Sequence, residues 1–221
     1  MPNYNDWKSL QLLLEKINNQ FKKDKMRIEV FIVNDCSSEE YSFKIKHLKK
    51  INSIKIINLK KNVGSQKAIF IGLNEISKIN SKSTLVIMDS DGEDDPTKIK
   101  KLVNKAIQKK DYIIFARRKK RLESVSLRFL NQLRLLLTFF LSGKYINVGN
   151  FCAFHGKNLK KIISRDNLSI AFCSGAIKNH NKIDFIDIPK SKRFLGTSKV
   201  NSFFLIKHAI NIVSVFYKIV F

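Results

Sequence analysis

The run Thr84 to Met88 (TLVIM) stops abruptly at Asp89-Ser90-Asp91-Gly92-Glu93-Asp94-Asp95-Pro96. A continuous run of this kind has no polar face to offer water, so it predicts a strand buried on both faces. Pro96 suits the first turn of a helix, which the pattern carries to about Lys109. A buried strand that breaks into acidic residues and then enters a helix belongs to a layered α/β arrangement.

The same alternation recurs along the chain. Asp6 can cap a helix whose apolar residues Trp7, Leu10, Leu14, Ile17 and Phe21 share one face. Arg27 to Val33 is β-rich and ends in the turn cluster Asn34-Asp35-Cys36-Ser37-Ser38. Ile54 to Leu59 is a short strand closed by Lys60-Lys61-Asn62-Val63-Gly64, with a helix over about Ser65 to Ile79, and Tyr112 to Ala116 is a fourth strand. Strands alternating with helices predict an open, mostly parallel, Rossmann-like sheet flanked by helices. Ligands of such sheets bind beyond the carboxyl ends of the strands. That rule alone brings Asp35 and the Asp89/Asp91 pair to one rim.

With 221 residues, 44% of them hydrophobic, the chain can bury one α/β core but not two large ones. Lys and Arg number 42 against 18 acidic residues, a balance of +24 that suits an anionic partner: nucleic acid, an acidic membrane surface or phosphorylated substrates. The abundance of Lys, Asn and Ile throughout is also what an AT-rich gene produces. Cys36, Cys152 and Cys173 are scattered and form no CxxC pair, and the histidines share no ligand spacing, so structural zinc is not expected. No nucleic-acid-binding motif is present, and a nucleic-acid partner is not expected despite the charge.

After Ala116 the character changes. Arg117-Arg118-Lys119-Lys120-Arg121 is a basic run, open to a solvated role or to phosphate and membrane contact. A helix is predicted over 125–141, with Val125, Phe129, Leu133, Leu136, Leu137 and Phe140 on one side and Arg128, Asn131, Gln132 and Thr138 on the other. The tail 203–221 is apolar apart from His208 and a stripe of Lys207, Asn211, Ser214 and Lys218, which suits a helix lying on a membrane or packed into a core. The expected division is therefore an α/β domain over 1–200, which carries the acidic rim, and an amphipathic, membrane-associated helix over 201–221.

Two carboxylates one residue apart on a tight turn, Asp89 and Asp91, can grip a hard divalent cation such as Mg²⁺ or Mn²⁺, which shares diphosphate oxygens readily. Such an ion neutralises a departing nucleoside diphosphate. Glu93, Asp94 and Asp95 could instead favour only the positive end of the following helix. For a hydroxyl acceptor, which needs a base, Glu93 and Asp94 are the candidates.

In order along the chain, Pro2-Asn3-Tyr4-Asn5-Asp6 resembles P-x-Y-N-E, and Val33-Asn34-Asp35-Cys36-Ser37 resembles V-D/N-D-G/C-S. Asn62-Val63-Gly64 with Ala68 and Gly72 resembles N-x-G-x-x-x-A-x-x-x-G, and Met88 to Pro96 resembles M-D-A-D-L-Q-D-P-P. Arg117 or Arg118 stands where an Arg follows the fourth strand, and Arg193 to Lys199 resembles R-x-x-G-x-S-K. Six segments in one order resemble the family 2 glycosyltransferases of GT-A fold. The nearest branch acts on polyprenyl phosphates and includes dolichyl-phosphate mannose synthase and the bactoprenol glucosyltransferases.

The resemblance implies an inverting transferase moving a sugar from a nucleotide-diphosphate donor to a polyprenyl phosphate or related cell-envelope glycan, at the cytoplasmic face of the membrane. Pro2, Asn5, Asp6, Asp35, Asn62, Gly64 and Asp89 would line the nucleotide-sugar site, with Asp35 reading the base. Asp89, Asp91 and Glu93 would hold Mg²⁺ or Mn²⁺, while Asp91, Glu93 and Asp94 would form the catalytic set. Arg117, Arg118, Arg121, Arg193, Ser198 and Lys199 would bind phosphate or acceptor. There are three departures. The family has a complete strand before P-x-Y-N, so the first strand is expected to be missing, and an apolar segment of about 6–10 residues is expected just before Met1. The family's G-D-F-R reads Gly149-Asn150-Phe151-Cys152 here. Many relatives continue into transmembrane helices near where Phe221 falls. A non-catalytic relative and a basic nucleic-acid-binding protein are the alternatives.

Overall fold

The computed structural model describes residues 1–40, 47–79, 82–119, 125–143, 145–189, 191, 193–196 and 202–217. Strand β1 (Pro2–Asn3) leads into helix α1 (Trp7–Gln20) and strands β2 (Ile28–Asn34) and β3 (Ile51–Asn58). Helix α2 (Ser65–Ser77), strand β4 (Thr84–Ile87), a 3-10 turn at Pro96–Lys98, helix α3 (Ile99–Gln108) and strand β5 (Ile113–Lys119) follow. Then come α4 (Val125–Ser142), β6 (Cys152–His155), α5 (Leu159–Ile162), α6 (Phe172–Asn179), β7 (Ile183–Pro189) and α7 (Ser202–Tyr217).

β1, β2 and β3 form a parallel half-sheet, with Pro2 opposite Val33 and Asn3 opposite Asn34. The other half has the order β4-β6-β5-β7, in which β6 runs antiparallel to both neighbours and β5 is parallel to β7. Helices cover both faces. α1 and α3 pack on one side, where Trp7, Leu10, Leu14, Ile17, Leu102 and Ala106 are buried. α2, α6 and α7 pack on the other, around Ile69, Leu73, Phe172, Ala176, Val215 and Phe216. The apolar spacing of α1 thus does what its periodicity predicts.

Two local expectations need revision. The first strand is reduced to two residues rather than absent, and it is held in a true ladder. Val33 N–H donates to Met1 O at 2.9 Å, Asp35 N–H donates to Asn3 O at 2.8 Å, and the Met1 amine donates to Phe31 O at 2.9 Å. Burial lowers that amine's pKa to about 6, against an upward pull from Asp89. Second, β4 is not buried on both faces: Thr84, Leu85 and Val86 are half exposed and only Ile87 is buried. The reason is a cavity of about 720 Å³ between β2 and β4, where the two half-sheets fail to meet. Helix α4 turns its apolar side outward. Thr138 is buried and its hydroxyl donates to Leu135 O at 3.0 Å, whereas Leu136, Leu137 and Phe140 are exposed, Phe140 by 74%. α7 packs against α4 and α6, burying Ile212, Val215 and Phe216 while Ile206, Ile210 and Tyr217 remain exposed. Among the described residues no helix is long and apolar enough to cross a membrane.

Candidate active site

Parallel strands deliver their carboxyl-terminal loops to one rim, and the acidic clusters meet there. Asp35, just past β2, is 3% exposed and accepts from Val63 N–H at 2.7 Å and Gly64 N–H at 2.8 Å. One carboxylate thereby fastens the loop after β3 to the loop after β2. Gly64 adopts φ +85, a left-handed conformation that a side chain would strain. Asn62, beside it, is exposed. The turn after β1 is fastened to the same loop: Asn5 Oδ1 accepts from Ser38 N–H at 2.9 Å, and Asn5 N–H donates to Ser37 Oγ at 2.9 Å.

The turn after β4 is organised by its own carboxylates. Asp94 is buried and its Oδ2 accepts from Asp89 N–H at 3.0 Å. Asp91 Oδ1 accepts from Glu93 N–H at 2.9 Å. Gly92 has φ +86, and a Cβ there would lie 2.5 Å from the Phe194 ring, so the turn needs glycine for its backbone and for its neighbour. Asp94, expected as a base, shapes the turn from beneath; Glu93 is half exposed and Asp91 faces the rim.

The segment Arg193 to Leu195 straps this turn from across the chain. Phe194 N–H donates to Asp91 O at 3.0 Å, and Arg193 Nη1 donates to Asp91 Oδ2 at 3.1 Å. Arg193 Nη2 donates to Asp6 Oδ2, and Nε donates to Leu195 O at 3.0 Å. Asp6 stands at the start of α1, where its carbonyl accepts from Leu10 N–H, but its side chain serves Arg193 rather than capping the helix. Burial raises the Asp91 pKa, and the Glu93 N–H and the Arg193 charge offset this only in part. Burial works against the Arg193 charge, but the Asp6 hydrogen bond and the charges of Asp6, Asp91 and Glu93 together outweigh it and raise that pKa.

Two residues join the rim without having signalled themselves as site residues. Asn150 Nδ2 donates to Asp89 Oδ1 at 3.3 Å, and Gln66 Nε2 donates to Asn150 Oδ1 at 3.4 Å. Gln66 Oε1 accepts from Phe172 N–H at 2.7 Å, which anchors the relay to α6. Asn150 drew notice only as a departure from an aspartate; Gln66 has no sequence signal.

The remaining candidates are less convergent. Arg117 Nε donates to Asp187 Oδ1 at 2.7 Å, directly opposite it in the β5–β7 register, so its charge is taken up in a cross-strand pair. Arg118 lies in β5. Arg121, Ser198 and Lys199 lie outside the described residues. Among the described residues no three His, Cys, Asp or Glu side chains converge on one ion-sized position, so Glu93 is not gathered with Asp89 and Asp91 as a ligand triad. The Asp89/Asp91 pair still fits a hard cation because its donors are carboxylate oxygens, and a cation there would share Asp91 with the Arg193 guanidinium.

The profile described as "Glycosyl transferase family 2" matches residues 1–174. The chain belongs to glycosyl transferase family 2. Its fold is similar to that of S. aureus TarS residues 1–349, at 19% identity and a TM-score of 0.53, covering 87% of this chain and 57% of that one. The same TarS fragment in complex with UDP gives 16% identity and a TM-score of 0.51 over 98% of this chain and 69% of that one. Its complex with UDP-GlcNAc gives 14% and 0.50 over 98% and 70%. The family 2 chain described here thus spans little more than half of the first of these structures. Together the family match and the strand order give it the GT-A fold. The sequence has no match among curated proteins.

Proposed function

We propose that this family 2 chain is an inverting glycosyltransferase that moves a sugar from a nucleotide-diphosphate donor to a polyprenyl phosphate or related cell-envelope glycan. The carrying observation is the Asp6–Arg193–Asp91 bridge over the Asp89-Ser90-Asp91 turn, at the carboxyl rim where the Asp35 loop also ends. A diphosphate placed there finds a guanidinium on one side and two carboxylates on the other. Asp89 and Asp91 would hold Mg²⁺ or Mn²⁺, which when bound neutralises diphosphate charge. Asp35 and the loops it ties would seat the base, and the TarS complexes with UDP and UDP-GlcNAc make a uridine donor the first to try. Arg193 would orient the diphosphate by paired hydrogen bonds. A phosphate acceptor is ionised at neutral pH and needs no base, which accords with Asn150 standing where the family has Asp. With a hydroxyl acceptor, half-exposed Glu93 is the better-placed base.

The acceptor class draws support from the outward apolar side of α4 and from Ile206, Ile210 and Tyr217 of α7, in a chain of +24. The described part of the proposed terminal helix, residues 202–217, would lie with α4 on an anionic cytoplasmic leaflet as a peripheral anchor. The experiment is a donor screen measuring nucleoside diphosphate release with membrane extracts, with and without EDTA, on the native chain and on Asp89→Ala and Asp91→Ala. The expected result is metal-dependent release that falls roughly a thousandfold in either variant. Full activity in EDTA or in Asp91→Ala removes the metal from the proposal, and no release with any donor favours the second reading.

That second reading is a non-catalytic relative. One observation favours it: the cavity between β2 and β4 lies directly behind Met1 and the turn that carries Asp89. Donor binding without turnover would be its signature.

A further inference from the structure

The Asp89-Ser90-Asp91 turn is held on one flank by a chain of amides that begins at another helix. Phe172 opens α6, and Ala171 before it supplies no side-chain cap. Gln66, in the first turn of α2, does that work from outside: its Oε1 accepts from Phe172 N–H at 2.7 Å. Its Nε2 donates to Asn150 Oδ1 at 3.4 Å and to Ser65 Oγ at 3.4 Å, and Asn150 Nδ2 donates to Asp89 Oδ1 at 3.3 Å. Both amides are set in fixed backbone. Phe151, next to Asn150, is buried, and its carbonyl accepts from Ala116 N–H at 2.9 Å. Gly64, at the N-cap of α2, gives its own N–H to Asp35.

The direction of this chain is decided at one end. A backbone N–H only donates, so the side of Gln66 that meets Phe172 must be its oxygen. The NH2 side is then the one turned to Asn150, so Asn150 presents its oxygen to Gln66 and its own NH2 to Asp89. A carboxylate only accepts, so each contact matches a donor to an acceptor. The chain thus runs from the positive end of α6 to the Asp89 anion. The Asp89 backbone is held separately, its N–H donating to buried Asp94 at 3.0 Å. The amides therefore govern the Asp89 side chain rather than the course of the turn.

We propose that Gln66 is a positioning residue for Asp89, acting through Asn150: it fixes which side of the Asn150 amide meets the carboxylate, and so holds Asp89 in the orientation a divalent cation requires. The inference rests on the reading of Asp89 as a cation ligand. Groups that orient a metal's own ligands contribute about 10–100-fold in metal affinity. The change Gln66→Glu, nearly identical in shape, separates this part from helix capping. A carboxylate at position 66 still accepts from Phe172 N–H and suits a helix N-terminus, but it offers Asn150 an acceptor in place of a donor. Asn150 then turns its NH2 toward position 66 and its oxygen toward Asp89, which sets two acceptors face to face.

The test compares the full native chain with Gln66→Glu and Gln66→Ala. Gln66→Glu is expected to keep Tm within about 2 °C of native. It should weaken Mn²⁺ binding, read by electron paramagnetic resonance, about tenfold. It should also displace the Asn150 side-chain NH2 signals in amide NMR spectra of the metal-free protein. Gln66→Ala, which loses the cap as well, should lower both Tm and Mn²⁺ affinity. Either native Mn²⁺ affinity or undisplaced Asn150 signals in Gln66→Glu overturns the proposal and leaves Gln66 as a cap for α6. A native chain that binds no Mn²⁺ removes the metal from the proposed function. The Asn150 signals then decide alone, displacement supporting the positioning role and constancy overturning it. If Gln66→Glu fails to fold, the same signals in Gln66→Ala decide in the same way.

Discussion

Arg193 Nη1 donates to Asp91 Oδ2 across 3.1 Å, joining the strap of residues 193–195 to the turn that defines the candidate active site. The same guanidinium reaches Asp6, so one planar group spans the two half-sheets. Arg193→Ala is expected to lower kcat/KM for donor about a hundredfold, which corresponds to roughly 2.7 kcal/mol. Arg193→Lys should recover only a small part, because an ammonium lacks the planar fork whose separate nitrogens reach Asp91 and Asp6. Steady-state kinetics of nucleoside diphosphate release measures both.

Asp35 offers a test of structure against recognition. Asp35→Ala leaves the Val63 and Gly64 N–H groups without their carboxylate, and a loss of about 2–4 kcal/mol in folding stability is expected. Urea denaturation reads this directly. If Asp35 also meets the donor base, the surviving folded protein shows a raised donor KM with kcat little changed.

The two rim glycines should differ. Gly64→Ala meets no neighbour within 4 Å, so it carries only the left-handed strain, about 1–2 kcal/mol. Gly92→Ala adds a collision with Phe194 and should cost more, about 3 kcal/mol or above. Combining Gly92→Ala with Phe194→Ala should cost less than the sum of the two single changes, as measured by a thermal or chemical double-mutant cycle.

Acid stability is expected to depend on Asp184. Burial pushes its pKa up, but hydrogen bonds from Lys109, Lys105 and the Phe185 N–H outweigh that and bring it from 3.8 to about 2. A carboxylate held lower in the folded state adds stability above its unfolded value. That contribution is lost as pH falls through the folded one. Asp184→Asn should lower Tm by about 3 °C at pH 7 and have little effect at pH 2, so the two melting curves converge between pH 4 and 2.

Sedimentation with vesicles tests the exposed faces of α4 and α7. Binding is expected with anionic vesicles and weak binding with neutral ones, since basic residues near an anionic surface contribute on the order of 1 kcal/mol each. Phe140→Asp with Ile210→Asp should abolish it without unfolding the chain, because both side chains are exposed. Equal failure of the native chain with both vesicle types removes the membrane from the proposed function.

Much of this was legible in the sequence because it is local. The spacing of Trp7 to Ile17, the β-rich run ending at Val33 and the break from Met88 into Asp89 each report their own backbone. The rim followed from the rule that parallel strands present their carboxyl ends together. Long-range partnerships were not legible: Arg193 meeting Asp6, Asn150 meeting Asp89, and Gln66 anchoring to Phe172 depend on loops whose closure no local pattern encodes. Which side of α4 faces inward was not legible for a related reason. Periodicity gives a stripe, but what covers that stripe is decided by the surroundings. β6 and β7 went unpredicted because Cys152–His155 is short and Ile183–Pro189 is interrupted by Asp184 and Asp187.

The reversed strand β6 has a consequence for the order in which the chain can assemble. Thr84 pairs with His155 and Ile87 with Cys152, so the edge of β4 waits for residues made long after it. On a ribosome the β1–β2–β3 strands are all made while β4 is still unpaired, and emergence of β6 closes the edge of β4 that faces it. Synthesis therefore passes through a stage in which one finished layer sits beside an open, self-adhesive edge. Slow elongation between Ile87 and Cys152 would lengthen the need for a chaperone, whatever the final stability of the native state.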